Sequence, residues 1–274
     1  MTKKQKYDIS FGRKQQLSDM AEFIADYYFP NGSIEPELIA KDKGIKYNID
    51  DYGDYFDGML HCVNKKFHIF INSKRVMSFN SARGRFTFAH ELGHYFIDEH
   101  RFVLEHNLSE SHPSFIDFSS NNVVEIEADY FASSLLMPFS RLKRDIDRKK
   151  FSFNIINEIK NKYNTSYLAT LIKFVSIGNH PILIVYSVAG KVKWYRYSED
   201  FRFKLLKIDP YKNVPKNTSV GEYFYEQIMN KDSDEIVFSQ DWFILNSSED
   251  FGIQLVERCI YSPQNNCVVS VIWN

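Results

Sequence analysis

Cysteine is scarce in this chain: Cys62, Cys259 and Cys267 are its only three, and none stand at CxxC spacing. That argues against both a disulfide framework and a zinc site built from cysteine. An excess of one charge is also lacking, since 34 Lys and Arg face 35 Asp and Glu. The net charge of -1 gives no global attraction to nucleic acid or to an anionic membrane. No apolar run approaches the roughly 20 residues of a membrane span, and the charged start MTKKQKYDIS lacks the apolar core of a secretory signal. Internal repeats and low-complexity tracts are missing too. These absences predict a soluble, unexported, cytoplasmic chain with reduced thiols.

What is there is ordinary globular composition, 44% hydrophobic and 25% charged, so the chain is expected to fold. Apolar positions at helical spacing predict helices over about 15–28, 35–43, 82–97 and 123–136, with Pro138 stopping the last. Strand-like runs at 45–49, 58–61 and 67–72 include a hairpin just before the 82–97 helix. Residues 106–122, rich in Ser, Asn, His and Pro, read as a long loop bordering a cleft, and 139–178 read as mostly helical. Beyond Gly178 the character changes to strands at 182–188, 191–197, 236–238 and 268–273. The expected class is therefore α+β, with one domain over 1–178 and a smaller β-rich domain over 179–274.

His90-Glu91-Leu92-Gly93-His94 is an H-E-x-x-H motif. On a helix, residues four apart project from one face and can hold one metal ion together. Phe88, Leu92, Tyr95 and Phe96 form an apolar stripe on the other side, which leaves the histidines facing a cleft. Glu91, about 100° around from His90, can reach a water at the metal without ligating, the place of a general base.

Catalytic zinc usually takes three protein ligands, so one more is needed. His100 completes a metzincin-like spacing with His90 and His94, yet Ile97 stands where that pattern needs a turning glycine. His100 therefore reads as a surface histidine. The segment 123–132 offers Glu125 and Asp129 on the inner edge of a second helix, with Glu127 about 160° away from Glu125 and read as a solvated charge. Glu125 is assigned as the third ligand, and Asp129 as the residue that orients a ligand histidine through its other ring nitrogen. The plainer alternative is a helix-terminal charge and a surface partner.

With Arg85-Phe86-Thr87-Phe88-Ala89 leading into the motif, then 125–132 and Leu135-Leu136-Met137-Pro138, the chain resembles the ImmA/IrrE family of metallopeptidases over about residues 35–178. The resemblance implies a zincin-like minimal catalytic domain, Zn2+ held by His90, His94 and Glu125, and Glu91 as the catalytic glutamate. It also implies a bacterial or phage-related cytosolic peptidase that cleaves a helix-turn-helix repressor to trigger a stress or mobile-element response; from the balanced charge, no direct nucleic-acid binding is expected.

Other features carry plainer readings. The helical pair at 153–175 could be a helix-turn-helix unit but reads as a domain-closing hairpin. Lys74, Arg75, Arg83 and Arg85 could guide an acidic substrate segment, or form a solvated face. The aromatics of the last hundred residues suit a packed sheet before a ligand pocket. The strand at 67–72 is expected at the sheet edge, where an extended peptide could add beside the zinc. Two rival functions remain: a non-proteolytic module that captures a repressor or toxin, and hydrolysis of something other than protein.

Overall fold

Ser10 opens the first helix by accepting the Arg13 amide at 3.2 Å. In the computed structural model, which describes residues 9–76, 78–106, 112–114, 122–177, 180–207 and 212–274, that helix, α1, runs Phe11–Tyr28 and buries Leu17, Ala21, Ile24 and Ala25. Proline at its first position starts α2, Pro36–Asp42. Strands β1 (Lys46–Asp50), β2 (Gly58–Val63) and β3 (Lys66–Asn72) follow, then the short α3, Ser73–Val76. Next come α4 (Ala82–Phe96), α5 (Asp98–Glu105), β4 (His112–Ser114) and α6 (Val123–Leu136). Helices α7 (Phe139–Ile146), α8 (Phe153–Tyr163) and α9 (Tyr167–Ile177) close the helical part.

The contacts divide the chain into two compact units, one of residues up to 147 with 152–170, the other of 148–151 with 171–274. In the first unit β1 pairs parallel to β3, and β2 pairs antiparallel to both β3 and β4, giving the order β1-β3-β2-β4. The β2–β3 turn puts Asn64 and Lys65 at positive φ, 50° and 61°, the twist that a two-residue hairpin favours. The sheet, α1, α4 and α6 share one core, in which Leu60, Ile69, Ile71, Leu92, Phe131 and Leu135 are wholly buried. Each such side chain contributes about 2 kcal/mol of transfer free energy.

Three expectations are corrected here. The 67–72 strand is not an edge, because β1 occupies the backbone groups that β2 leaves free. Helix α5, outside the predicted elements, starts straight after Ile97, which caps α4 and opens α5 in extended conformation. Within the stretch read as a loop, residues 112–114 form β4, while 107–111 and 115–121 lie outside the described residues.

The second unit is an antiparallel sheet of β5 (Ile182–Val188), β6 (Lys191–Tyr197), β7 (Glu235–Phe238), β8 (Gln254–Ser262) and β9 (Cys267–Trp273), in the order β6-β5-β9-β8-β7. Strand β8 is absent from the sequence expectation because Glu257 and Arg258 interrupt its apolar alternation. Helices α10 (Ser219–Gly221) and α11 (Ser239–Trp242) lie between the strands in sequence, and Phe201, Trp242 and Phe243 pack into the core formed with Leu183, Leu255 and Ile272. The α+β class with a β-rich second part is as expected.

Candidate metal centre

Helix α4 reaches its place through two small residues. Ser81 caps it by accepting the Gly84 amide at 3.0 Å, and Gly84 is required because a Cβ there would lie 2.2 Å from the Ser78 carbonyl oxygen. Gly93, inside the motif, lets α4 approach α6 closely, since a Cβ would come within 3.3 Å of the Ala128 backbone. Asn122 caps α6 at the Val124 amide, which sets Glu125 in the first turn facing α4.

The result is a cluster of three donors. His90 Nε2 is 3.1 Å from His94 Nε2 and 3.2 Å from Glu125 Oε2, and His94 Nε2 is 3.5 Å from Glu125 Oε1. Ligands about 2.0–2.1 Å from a tetrahedral zinc stand about 3.3 Å from one another, close to the separation of the two ring nitrogens and of each ring from the Glu125 oxygen nearest it, Oε2 for His90 and Oε1 for His94. His90 and His94 are buried and Glu125 is nearly so.

Electrostatics point the same way. Burial disfavours a charged His90, yet hydrogen bonds to Asp129 and Glu125 outweigh it and hold its pKa well above the usual value. The site thus draws in positive charge. Two imidazoles and a carboxylate supply the nitrogen and oxygen donors of a catalytic zinc site, with no fourth protein donor in the group among the described residues.

Glu91 is fully buried, with the Ser114 side chain and the Leu60 backbone facing its carboxyl. Burial pushes its carboxyl up to about 8, with the charge on His90 opposing and Glu125 adding. Gly58 of β2 makes room for it, because a Cβ at that position would fall 2.6 Å from Glu91 Oε1 and 2.5 Å from Thr87 Cγ2. Asp129 Oδ1 accepts from His90 Nδ1 at 2.8 Å, which leaves Nε2 free to ligate.

Two residues stand elsewhere than expected. His100, read as exposed, is 5% exposed, with Nδ1 3.2 Å from His94 Nδ1, on the far side of that ring from Nε2. Glu127, read as solvated, is 8% exposed and ion-paired to Arg13 at 2.7 Å. The helical wheel of α6 missed Glu127 because Arg13 of α1 and His100 of α5 reach the face that a two-helix picture leaves in water, and His100 lies on a helix the sequence reading did not contain. The basic cluster is engaged within the fold: Lys74 pairs with Asp54, Arg75 and Arg83 share the buried Asp57, and Arg85 donates to the Ile34 carbonyl.

A cavity of about 220 Å³, mostly apolar, lies along the same two helices, lined by Ala82 and Phe86 of α4, Ser133 and Leu136 of α6, and Leu168. Phe86 precedes His90 by one helical turn and Ser133 follows Asp129 by one, about 6 Å along each axis.

Residues 52–174 match the family Peptidase_M78, described as the IrrE N-terminal-like domain. Among proteins of curated function, none matches this chain. Among solved structures the chain is similar in fold to a Mycobacterium tuberculosis transcriptional regulator, with 12% identity and a TM-score of 0.58 over 96% of this chain and 79% of that one. No helix among the described residues is long and apolar enough to cross a membrane.

Proposed function

We propose, from the match of residues 52–174 to the IrrE N-terminal-like domain, that the protein is a zinc-dependent, site-specific endopeptidase acting on a regulatory protein. The observation that carries this reading is Glu91, a carboxyl with no exposure to solvent that interacts with His90 and Glu125 of the donor cluster. A carboxyl buried deeply enough to raise its pKa costs stability when charged, and such groups cluster where chemistry uses them.

His90, His94 and Glu125 would hold the ion, and zinc bound there supplies a Lewis acid that acidifies water and polarises a carbonyl. Asp129 holds the Nδ1 proton of His90, so the proton given up to an incoming ion is the one on Nε2, which then serves as the donor. With a cation's charge nearby to lower its pKa, Glu91 would be ionised, take a proton from the attacking water and pass it to the leaving amine nitrogen. Its burial excludes bulk water that would compete for that proton. Strand β4, at the sheet edge with Ser114 beside Glu91, is where an extended peptide would add backbone hydrogen bonds. The apolar cavity along α4 and α6 fits an aliphatic or aromatic substrate side chain.

The substrate class follows the ImmA/IrrE resemblance: a helix-turn-helix transcriptional repressor, cleaved in a stress or mobile-element response. The test compares new protein N-termini in cells making the wild type or Glu91→Gln, with zinc content measured on both proteins. Ends that appear only with the wild type name the substrate. Equal zinc, no new ends and an unchanged regulatory response in the variant would replace cleavage by capture of the partner.

A further inference from the structure

His100 and Glu127 take no part in the proposed chemistry, yet both are buried beside the centre. A buried imidazole and a buried carboxylate persist only when their polar atoms are matched, and here the matching has a direction. Arg13 of α1 donates from Nε to Glu127 Oε1 at 2.9 Å and from Nη2 to Oε2 at 2.7 Å. Arginine has donors only, so Glu127 is held as an accepting carboxylate. Glu127 Oε2 lies 3.3 Å from His100 Nε2, which makes that nitrogen the donor. A neutral imidazole that donates from Nε2 presents a lone pair at Nδ1, and His100 Nδ1 is 3.2 Å from His94 Nδ1. The proton of His94 therefore sits on Nδ1. Its Nε2 keeps a lone pair facing His90 and Glu125.

We propose that Arg13, Glu127 and His100 are positioning residues that act in series to fix the ring and tautomer of His94. The metal they prepare it for rests on the reading above; the tautomer does not. The two histidines of the motif are then oriented by different means, His90 by Asp129 directly and His94 through a chain of three side chains. That chain ends on α1, outside the residues 52–174 that match the peptidase family. The first helix is accordingly part of the metal centre and not only a packing element.

The experiment uses the full chain and two readouts. Long-range 1H–15N NMR of the metal-free protein reports which nitrogen of His94 carries the proton, and chelator competition with Zn2+ reports affinity. The wild type shows Nδ1–H at His94. His100→Leu loses that signal and binds zinc about 10- to 100-fold more weakly. His100→Gln, whose side-chain oxygen can accept from His94 while its amide donates to Glu127, recovers most of the loss. Arg13→Leu weakens zinc in the same direction, and if His100→Leu does not fold, this variant and His100→Gln decide. A general packing defect would lower the melting temperature without moving the tautomer.

Zinc affinity unchanged in His100→Leu and Arg13→Leu overturns the proposal, as does an Nε2–H signal at His94 in the wild type. A wild type that takes up no zinc sinks the metallopeptidase reading instead, and the NMR arm alone then upholds or overturns the chain.

Discussion

Glu257 lies on β8 with no exposure to solvent, its Oε2 accepting the Ser219 amide at 2.9 Å. Burial is the largest influence on it and raises its pKa from the usual 4.5 to about 7, while Ser270 and the Ser219 backbone pull the other way. The unfolded chain gives up this proton near 4.5 and the folded chain only near 7. Between those values the folded state binds more protons, so stability falls as pH rises and the loss is complete above about 7. A gap of that size corresponds to about 3 kcal/mol. Glu257→Gln keeps an acceptor for Ser219 and cannot ionise. All three tryptophans, Trp194, Trp242 and Trp273, fall within residues 171–274, so urea unfolding followed by tryptophan fluorescence reads the unit that contains Glu257. The stability of Glu257→Gln relative to wild type should rise by roughly 2–3 kcal/mol between pH 5 and pH 8. A variant that is less stable by the same amount at both pH values would refute the reasoning, because the carboxylate would then be charged and stabilising in the fold.

Three further outcomes are expected. In Gly58→Ala the new methyl displaces Glu91 or Thr87 by several tenths of an ångström; cleavage should drop by up to about 100-fold while zinc affinity is kept, and loss of zinc would show that β2 also shapes the ligand set. Gly93→Val forces α4 away from Ala128 and Phe131, so about 1–3 kcal/mol of stability should go, together with weaker zinc binding; normal affinity in calorimetry would contradict the close-approach argument. Zinc at about 100 times its dissociation constant should stabilise the first unit by about 2.7 kcal/mol, seen as slower amide exchange in α4 and α6, and chelation should reverse it.

The α4 helix and the shared face of His90 and His94 were legible in the sequence because helical periodicity is local: four residues make about one turn whatever surrounds them. Glu91 was legible for the same reason, being one step around that helix. Placing Glu125 and Asp129 needed a second helix and its buried edge, which the pattern of Ala128, Phe131, Ala132 and Leu135 supplied. The strand pattern around the hairpin was readable, but which strand lies at the edge was not, since pairing depends on the distant β1 and β4.

Tertiary structure alone decided the rest. Whether Glu127 meets water or arginine depends on Arg13, 114 residues away in sequence. His100 is buried because α5 turns back at Ile97, not because of its own neighbours in the chain. Glu257 interrupts an apolar strand, and only the folded second unit brings the Ser219 amide to meet it. A polar side chain's fate is set by the partner that reaches it through space, whereas a helix face is set by the few residues on either side.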